Sequence, residues 1–301
     1  MKLGVIDLGT NTFHVLIVKA DDIGGFTELY RERQFVQLAE NGIKTIGPAP
    51  FKRGVDTLTR FSSILKQNGV QKVKAFGTAA LRTASNGTEF IKEVKAKTGI
   101  EIERISGGEE ARLISKGVRM AVPIKENPVL IMDIGGGSVE FIIVNQAEVF
   151  WAQSFPIGVA VLYNNFHKSE PLSVQDRQAL EGHLFQTLKP LKTALDKIPV
   201  KILTGASGTF DVLDDMLAEK RESPIWSIVD AAKFYPVYEK LLHANLETRL
   251  NTPGVPEKRA KLIVVALVLI KFILDITEID TIWVSKYAMK EGILVEMLVD
   301  G

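Results

Sequence analysis

The chain has 301 residues, of which 46% are hydrophobic and 24% are charged, and its formal net charge is +1. This length and composition are typical of a folded protein with room for two domains, and they exclude a largely disordered chain. A net charge near zero gives no general attraction to nucleic acid polymers or anionic membranes, so affinity for a polyanion requires local clusters of Lys and Arg.

The cysteine and histidine content excludes several kinds of catalytic and metal site. Cysteine is absent, which excludes thiol catalysis, disulfides and iron–sulfur clusters and predicts a cytoplasmic protein. The four histidines are scattered without the spacing of a zinc site, so any metal should be a hard ion bound by oxygen. The most apolar run, residues 262–274, is too short to cross about 30 Å of hydrocarbon and predicts a buried helix. The chain starts with a strand-like segment instead of a secretory signal peptide.

Two segments, residues 5–18 and 131–144, predict the same β-hairpin. Each has an apolar run that ends in a carboxylate, a turn of small residues with a hydroxyl group, and a second apolar run. A single turn of this kind would more often be an ordinary hairpin. Its duplication, with similar residues on both sides of the turn, favours a functional role. Aligning the segments pairs three positions: Asp7 with Asp133, Gly9 with Gly135, and Thr12 with Ser138.

The residue types in these turns suit phosphate. Glycines let backbone N–H groups approach an anion closely, and hydroxyl groups add further donors. A carboxylate beside a bound phosphate is tolerable only if a cation lies between them. Two facing copies therefore predict a metal-assisted phosphate cleft.

Between the hairpins the sequence alternates strands and helices. The predicted elements are a strand at 28–38, a helix at 50–68, a strand at 71–76, a helix from 86 to about 97, a strand at 100–104 and a helix at 106–120. A capping box of Asn86 and Glu89 should start the helix at 86. The proline-bounded connection at 123–128 predicts the boundary between an N-terminal lobe, 1–124, and a C-terminal lobe, 125–301.

The second half repeats this alternation. After the second hairpin the sequence predicts strands to about residue 155, helices at 158–166 and 174–195, a strand at 200–204, helices near 209, 231, 259 and 289, and a strand at 281–284. Strands alternating with helices in both halves predict an α/β fold of two similar lobes.

Two adjacent acids in the segment 105–112 have different predicted roles. Ser106 and Glu109 have the spacing of a capping box, which explains Glu109 as a helix-start residue. Glu110 projects about 100° further round the helix and could point into the cleft as a general base. The alternative is that Glu110 only complements the helix dipole.

Two further loops have the features of anion sites. Residues 203–210 read as a strand, a small-residue loop and a helix start, which presents free N–H groups, although tight packing would explain the same pattern. Residues 75–82 form a similar turn, and Arg82 is suited to bidentate phosphate binding or to a surface salt bridge. The absence of P-loop, serine-hydrolase and zinc-protease motifs disfavours those enzyme classes.

In these segments the chain resembles the exopolyphosphatase and guanosine pentaphosphate phosphohydrolase family, within the actin, sugar-kinase and Hsp70 superfamily. The matching segments are 6–17, 75–86, 105–118, 132–141, 156–158 and 205–209. The resemblance implies two ribonuclease H-like, actin-like lobes with the active site in the cleft between them. It also implies a homodimer that hydrolyses the terminal phosphoanhydride of inorganic polyphosphate.

The resemblance assigns roles to individual positions. It implies that Glu110 is the catalytic base and that Asp7, Asp133 and Glu140 surround Mg²⁺, or Mn²⁺ in its place. The residues that it implies around phosphate are Thr10, Asn11, Arg82, Gly136, Gly137, Ser138, Gly208 and Thr209.

The sequence departs from the family pattern at three positions near its C-terminus. Lys261 and Lys286 stand where the family has an acid, and Lys290 stands where it has an arginine. We interpret these changes as altered substrate contacts or an altered lobe surface, with reduced activity as the alternative.

Three other functions remain open on the sequence alone. One is hydrolysis of guanosine pentaphosphate, one is nucleotide or polyphosphate sensing without turnover, and one is a superfamily kinase, which the Glu110 segment disfavours. Lysines on two predicted helices could guide a long polyanion, but such rows are more often solvated helix faces, so we expect a preference for short or intermediate polyphosphate. These lysines are Lys92, Lys95, Lys97, Lys189, Lys192, Lys197 and Lys201.

Overall fold

The computed structural model describes residues 1–21, 24–218 and 220–299, and the strands within them form two sheets. The sheet of the first half has the order β3-β2-β1-β4-β5. Its strands are β1 (Lys2–Leu8), β2 (Thr12–Ala20), β3 (Phe26–Phe35), β4 (Lys72–Gly77) and β5 (Ile102–Arg104). The first three form an antiparallel meander, and β4 and β5 continue the sheet in parallel with β1.

The sheet of the second half contains the same arrangement. Its order is β10-β11-β12-β9-β6-β7-β8. Its strands are β6 (Val129–Ile134), β7 (Val139–Val144), β8 (Val149–Phe155), β9 (Ile202–Ala206), β10 (Lys220–Ser223), β11 (Trp226–Asp230) and β12 (Thr281–Ser285). The run β8-β7-β6-β9-β12 matches β3-β2-β1-β4-β5 in order and direction, which confirms two similar α/β halves.

The two predicted hairpins are equivalent in detail. The Gly9 N–H donates to the carbonyl oxygen of Thr12 over 3.0 Å, and the Gly135 N–H donates to that of Ser138 over 3.0 Å. A Cβ atom on either glycine would lie within 2.9 Å of the same carbonyl oxygen, so both turns require glycine. The hairpin duplication read from the sequence is therefore confirmed at the level of single hydrogen bonds.

Helices cover the sheets and fill the connections. They are α1 (Pro48–Gln67), α2 (Ala79–Thr83), α3 (Gly87–Thr98), α4 (Gly107–Ala121), α5 (Val159–Phe166), α6 (Val174–Thr187), α7 (Lys189–Lys197), α8 (Gly208–Leu217), α9 (Phe234–Leu242), α10 (Leu246–Leu250), α11 (Glu257–Ala260), α12 (Ile263–Asp275) and α13 (Met289–Val299). As predicted, α12 is a buried helix. None of the described helices is long and apolar enough to cross a membrane.

The C-terminal helix returns to the first half of the chain. Helix α13 packs along α4 and also contacts β1. Gly117 of α4 and Gly292 of α13 lie at this contact, where a Cβ atom would overlap the carbonyl oxygens of Ala288 and Leu113 respectively. Two glycines thus allow the backbones of the two helices to approach closely.

Two local predictions were wrong, and one hairpin was missed. The helix predicted at 174–195 is two helices, because Pro190 in the first turn of α7 cannot continue the hydrogen bonding of α6. Asn86 does not cap α3: its side chain exchanges hydrogen bonds of 2.9 Å with the backbone N–H and carbonyl of Ile46. The hairpin of β10 and β11 was not predicted at all.

Candidate active site

A cavity of about 430 Å³ lies where the two duplicated turns meet. Its walls come from both halves of the chain: the turns after β1 and β6, the strand β3, the first turns of α4 and α8, and the segment 285–290. The turns are in direct contact, because a Cβ atom on Gly136 would lie 2.7 Å from the side chain of Asn11. One on Gly137 would lie 2.6 Å from Thr10 Oγ1.

Three carboxylates converge on this cavity from the duplicated hairpins. Asp7 is partly exposed, to the cleft that it lines, whereas Asp133 and Glu140 are buried. Burial raises the pKa of Asp7 to about 7; the Lys290 ammonium opposes this shift and the Asp133 carboxylate adds to it. Burial, with repulsion from Asp133, also raises the pKa of Glu140 to about 7. Carboxylates whose pKa values are raised by burial and by neighbouring acids are typical of functional sites.

The cleft suits a metal that binds together with phosphate better than a preformed metal site. Among the described residues, no group of three or more acidic or histidine side chains is arranged to hold a metal ion by itself. Mg²⁺ at phosphate sites commonly takes one or two carboxylates and completes its shell with water and substrate oxygens. Asp7 and Asp133, which both line the cleft, are the two carboxylates that could serve in this way. Glu140 accepts a hydrogen bond of 2.6 Å from Ser154.

The first turn of α4 separates its two glutamates. The Glu109 N–H donates to Ser106 Oγ over 3.1 Å, so the predicted N-cap is confirmed, although the Glu109 carboxylate pairs with Arg112 on the surface instead of closing the capping box. Glu110 is 8% exposed and lines the cleft, where Arg82 Nη1 donates to its Oε2 over 3.1 Å. Burial and the Glu140 carboxylate raise the pKa of Glu110 well above its usual range, and Arg82 opposes this shift.

Most of the predicted phosphate-binding residues lie together in the cleft. The residues that line it are Thr10, Asn11, Gly136, Gly137, Ser138 and Gly208. Thr10 Oγ1 is buried without a hydrogen-bond partner, as expected of a donor that awaits a ligand. Thr209 lies behind them in a small adjoining cavity. Arg82 does not line the cavity itself. It lies behind Glu110, to which it donates a hydrogen bond, and it also donates to the carbonyl oxygen of Ile105 over 2.8 Å.

Further basic side chains line the cleft, and of these only Lys286 and Lys290 had been noted in the sequence. The Arg259 guanidinium occupies the space where a Cβ atom on Gly208 would be, and burial with repulsion from Arg33 lowers its pKa to about 10. His14 pairs across the strands with Asp7, just as Glu140 pairs with Asp133, and burial lowers its pKa well below its usual range. The others are Arg31, Arg33, Lys286 and Lys290. For Lys286 and Lys290 the signal was their departure from the family pattern; for Arg31 and Arg33 it was their alternation, which places both on one face of β3.

Comparison with known proteins identifies relatives along nearly the whole chain. Residues 16–300 match the model of the Ppx/GppA phosphatase family. A protein of Vibrio parahaemolyticus named guanosine-5'-triphosphate,3'-diphosphate pyrophosphatase is 30% identical over 296 residues, which cover 97% of this chain and 58% of that protein. The chain therefore spans little more than half the length of this curated relative.

Solved structures match the whole fold. A crystal structure of an exopolyphosphatase from Cytophaga hutchinsonii is 37% identical, covers 100% of this chain and 98% of its own, and superimposes with a TM-score of 0.95. A Ppx/GppA family member from Aquifex aeolicus is 24% identical with a TM-score of 0.82, covering 100% and 98% of the two chains. The two-lobed, actin-like α/β fold expected from the sequence is confirmed.

Proposed function

This chain belongs to the Ppx/GppA phosphatase family, and we propose that it is an exopolyphosphatase, which hydrolyses the terminal phosphoanhydride of inorganic polyphosphate and releases orthophosphate. The observation that carries the proposal is the position of Glu110, a buried carboxylate that faces the duplicated phosphate turns across the cleft. The exopolyphosphatase of Cytophaga hutchinsonii, similar over 98% of its length, supports the same choice of substrate.

In this proposal, different residues of the cleft bind the phosphate and activate the attacking water. Backbone N–H groups of the two turns, with the hydroxyl groups of Thr10 and Ser138, bind the terminal phosphate. Glu110 accepts a proton from the attacking water as the new P–O bond forms and the bridging P–O bond breaks, and the shortened chain leaves as an anion. A raised pKa makes Glu110 a stronger base than an exposed carboxylate, and Arg82 holds it in place.

A metal ion completes the charge balance. We propose that Asp7 and Asp133, with Glu140 beside them, hold Mg²⁺ or Mn²⁺, which when bound neutralises charge on the transferred phosphoryl group. Without a cation, three acids and a polyphosphate would repel each other in the same cleft. The unpaired hydroxyl of Thr10 and the raised pKa values of Asp7 and Glu140 support this assignment.

Guanosine pentaphosphate is the second candidate substrate. The Vibrio relatives carry a name that specifies guanosine-5'-triphosphate,3'-diphosphate as substrate, and removing its terminal phosphate uses the same chemistry. The higher identity to the exopolyphosphatase of Cytophaga hutchinsonii, 37% against 30% for the Vibrio parahaemolyticus protein, favours polyphosphate. Retention of all four acids, Asp7, Glu110, Asp133 and Glu140, counts against a sensor that binds without turnover.

The test is phosphate release from long-chain polyphosphate and from guanosine pentaphosphate, measured side by side with Mg²⁺ present. We expect a higher kcat/KM for polyphosphate. The reverse order would make guanosine pentaphosphate the substrate, and tight binding of either compound without release would favour a sensor.

A further inference from the structure

Lys286 is part of a charged cluster that joins the two halves of the chain across the cleft. Its Nζ donates to Asp214 Oδ2 over 2.7 Å and to Asp211 Oδ1 over 3.3 Å. The other oxygen of Asp211, Oδ2, accepts from Arg33 Nη2 of β3 over 3.2 Å. One carboxylate, Asp211, is therefore shared by two cations, one from each half.

The cluster lies in line with the predicted reaction centre. Asp7 of β1 pairs with His14 of β2, and His14 pairs with Arg33 of β3, so these three residues form one row across the sheet. Neighbouring strands are about 4.8 Å apart, which puts the Arg33 backbone roughly 10 Å from that of Asp7 along the cleft wall. A chain of phosphates that starts at Asp7 and follows this row would reach the cluster.

Within the cluster, Asp214 binds Lys286 from behind, and only Asp211 lies between Lys286 and Arg33. The side chains of Arg33, Asp211 and Lys286 are 42%, 28% and 31% exposed, so all three are open to a ligand. Arg259 adds a further, half-buried cation, whose pKa is lowered by burial and by repulsion from Arg33. A guanidinium has five N–H donors and an ammonium has three, so Arg33 and Lys286 keep donors for an additional anion beside their contacts to Asp211 and Asp214, and each phosphate unit of a polyphosphate supplies acceptor oxygens.

We propose that Arg33 and Lys286 form a subsite for a phosphate unit that lies several units away from the one being hydrolysed. Asp211 holds the two cations in place before substrate binds and gives them up to the polyphosphate. The ligand class is a linear oligophosphate, and the inference rests on the proposed function because it takes the reacting phosphate to lie between the duplicated turns.

The subsite predicts opposite effects for its cations and its acid. Arg33→Gln and Lys286→Gln should each raise KM for short-chain polyphosphate about tenfold, as expected for loss of one charge-assisted hydrogen bond, and change kcat much less. Asp211→Asn should lower that KM, because it removes the carboxylate that binds Arg33 and one of the two carboxylates that bind Lys286. With pyrophosphate, which cannot reach the cluster, the same substitutions should have little effect.

Lys261→Gln is the matched control. Lys261 also replaces an acid of the family pattern, but it is exposed, lies over the Tyr163 ring at 5.0 Å and is outside the cleft, so its KM should equal that of the wild type. Circular dichroism confirms that each variant is folded. Arg33→Gln is the second test should loss of the Lys286 contact to the buried Asp214, which then keeps Arg221 and Ser227 as partners, unfold the protein.

The outcomes separate the inference from the function on which it rests. Unchanged KM in folded Arg33→Gln and Lys286→Gln, while the wild type hydrolyses polyphosphate, overturns the subsite alone. If the wild type releases no phosphate, the proposed function fails, and calorimetric binding of short-chain polyphosphate then decides the subsite. Equal affinity of the wild type and both variants overturns it, and about tenfold weaker binding by both variants supports it.

Discussion

Glu109 and Glu110 are neighbours of the same residue type, and one turn of helix gives them opposite environments. Glu109 is on the surface, where it pairs with Arg112, and this pairing holds its pKa below its usual range. Glu110 is buried in the cleft beside Arg82, and its pKa is raised. A helix places consecutive residues about 100° apart, which suffices to put one on the outside and the other in the site.

The two glutamates should therefore respond differently to the same substitution. Glu110→Gln should lower turnover about 100-fold or more, as expected for loss of a positioned base, and leave substrate binding nearly unchanged. Glu109→Gln should leave turnover unchanged and cost less than about 1 kcal/mol of stability, since exposed ion pairs contribute little. Phosphate release and denaturant titration of both variants are the measurements. Equal catalytic losses would show that the roles are wrongly divided.

The raised pKa values also predict how stability depends on pH. In metal-free protein, Asp7 and Glu140 keep their protons up to about pH 7, whereas the unfolded chain loses them near pH 4. The folded state binds more protons over that range, so its stability falls as the pH rises through it. We expect a lower melting temperature at about pH 8 than at about pH 5.5 with chelator present, and a smaller difference in Glu140→Gln. A rise with pH that is the same in both proteins would contradict this prediction.

The sequence correctly predicted the positions of residues whose structural role depends on their neighbours in the chain. The alignment of Asp7 with Asp133 and the N-cap at Ser106 could be read locally, and both are present in the structure. The cleft arginines and lysines could not be read in this way, because Arg33 and Lys286 meet only through the packing of β3 against the second half. Asn86 was misread for the same reason, since its partner Ile46 is 40 positions away.

At the scale of elements, hydrophobic periodicity located most strands and helices, and the errors have local causes. Apolar spacing continues from α6 into α7, but Pro190 ends the hydrogen-bonded run. The strands β10 and β11 are short, with 4 and 5 residues, and carry little periodicity of their own. Their pairing depends on β12, far along the chain.

The contact between α4 and α13 predicts a sharp difference between two glycines. Gly117→Ala should destabilise the protein by about 1–3 kcal/mol or more, because its methyl group would overlap the backbone of residue 288. The matched control is Gly182→Ala in α6, where no atom lies within 4 Å of the new methyl group and the gain in helix propensity should stabilise by about 0.5–1 kcal/mol. Urea denaturation measures both. Equal effects would mean that α13 does not pack as described.

Because α4 carries Glu110 and α13 carries Lys290, the same contact also fixes the cleft. Gly117→Ala should consequently lower activity even at temperatures where the variant remains folded, and Gly182→Ala should not. Loss of stability without loss of activity in the folded fraction would show that the cleft does not depend on this helix pair.

At the scale of the whole molecule, the two halves meet at their duplicated turns and enclose a short cleft. The lysines that could have guided a long polyanion are largely engaged elsewhere: Lys95 pairs with Glu101, Lys97 with Glu93, and Lys192 with Asp196. Their surfaces match solvated helix faces more closely than a binding track. The basic residues of the cleft itself extend over only a few phosphate units.

This arrangement predicts frequent release of polyphosphate. Partly digested long chains should give a smoothly shortening ladder on a gel, and the apparent affinity for long chains should fall as salt rises, because exposed charges are screened over about 8 Å at physiological ionic strength. Full-length chains that persist beside free phosphate would instead show processive digestion and contradict the prediction.

The most direct test of the central claim is phosphate release from polyphosphate by the wild-type protein, with Mg²⁺ and with excess chelator, and with Asp133→Asn/Glu140→Gln as the matched double variant. The acids of the cleft predict release that requires Mg²⁺ or Mn²⁺, stops with chelator, returns when the metal is restored, and is absent in the double variant at any metal concentration. Undiminished release in excess chelator, or a double variant as active as the wild type, would contradict the account.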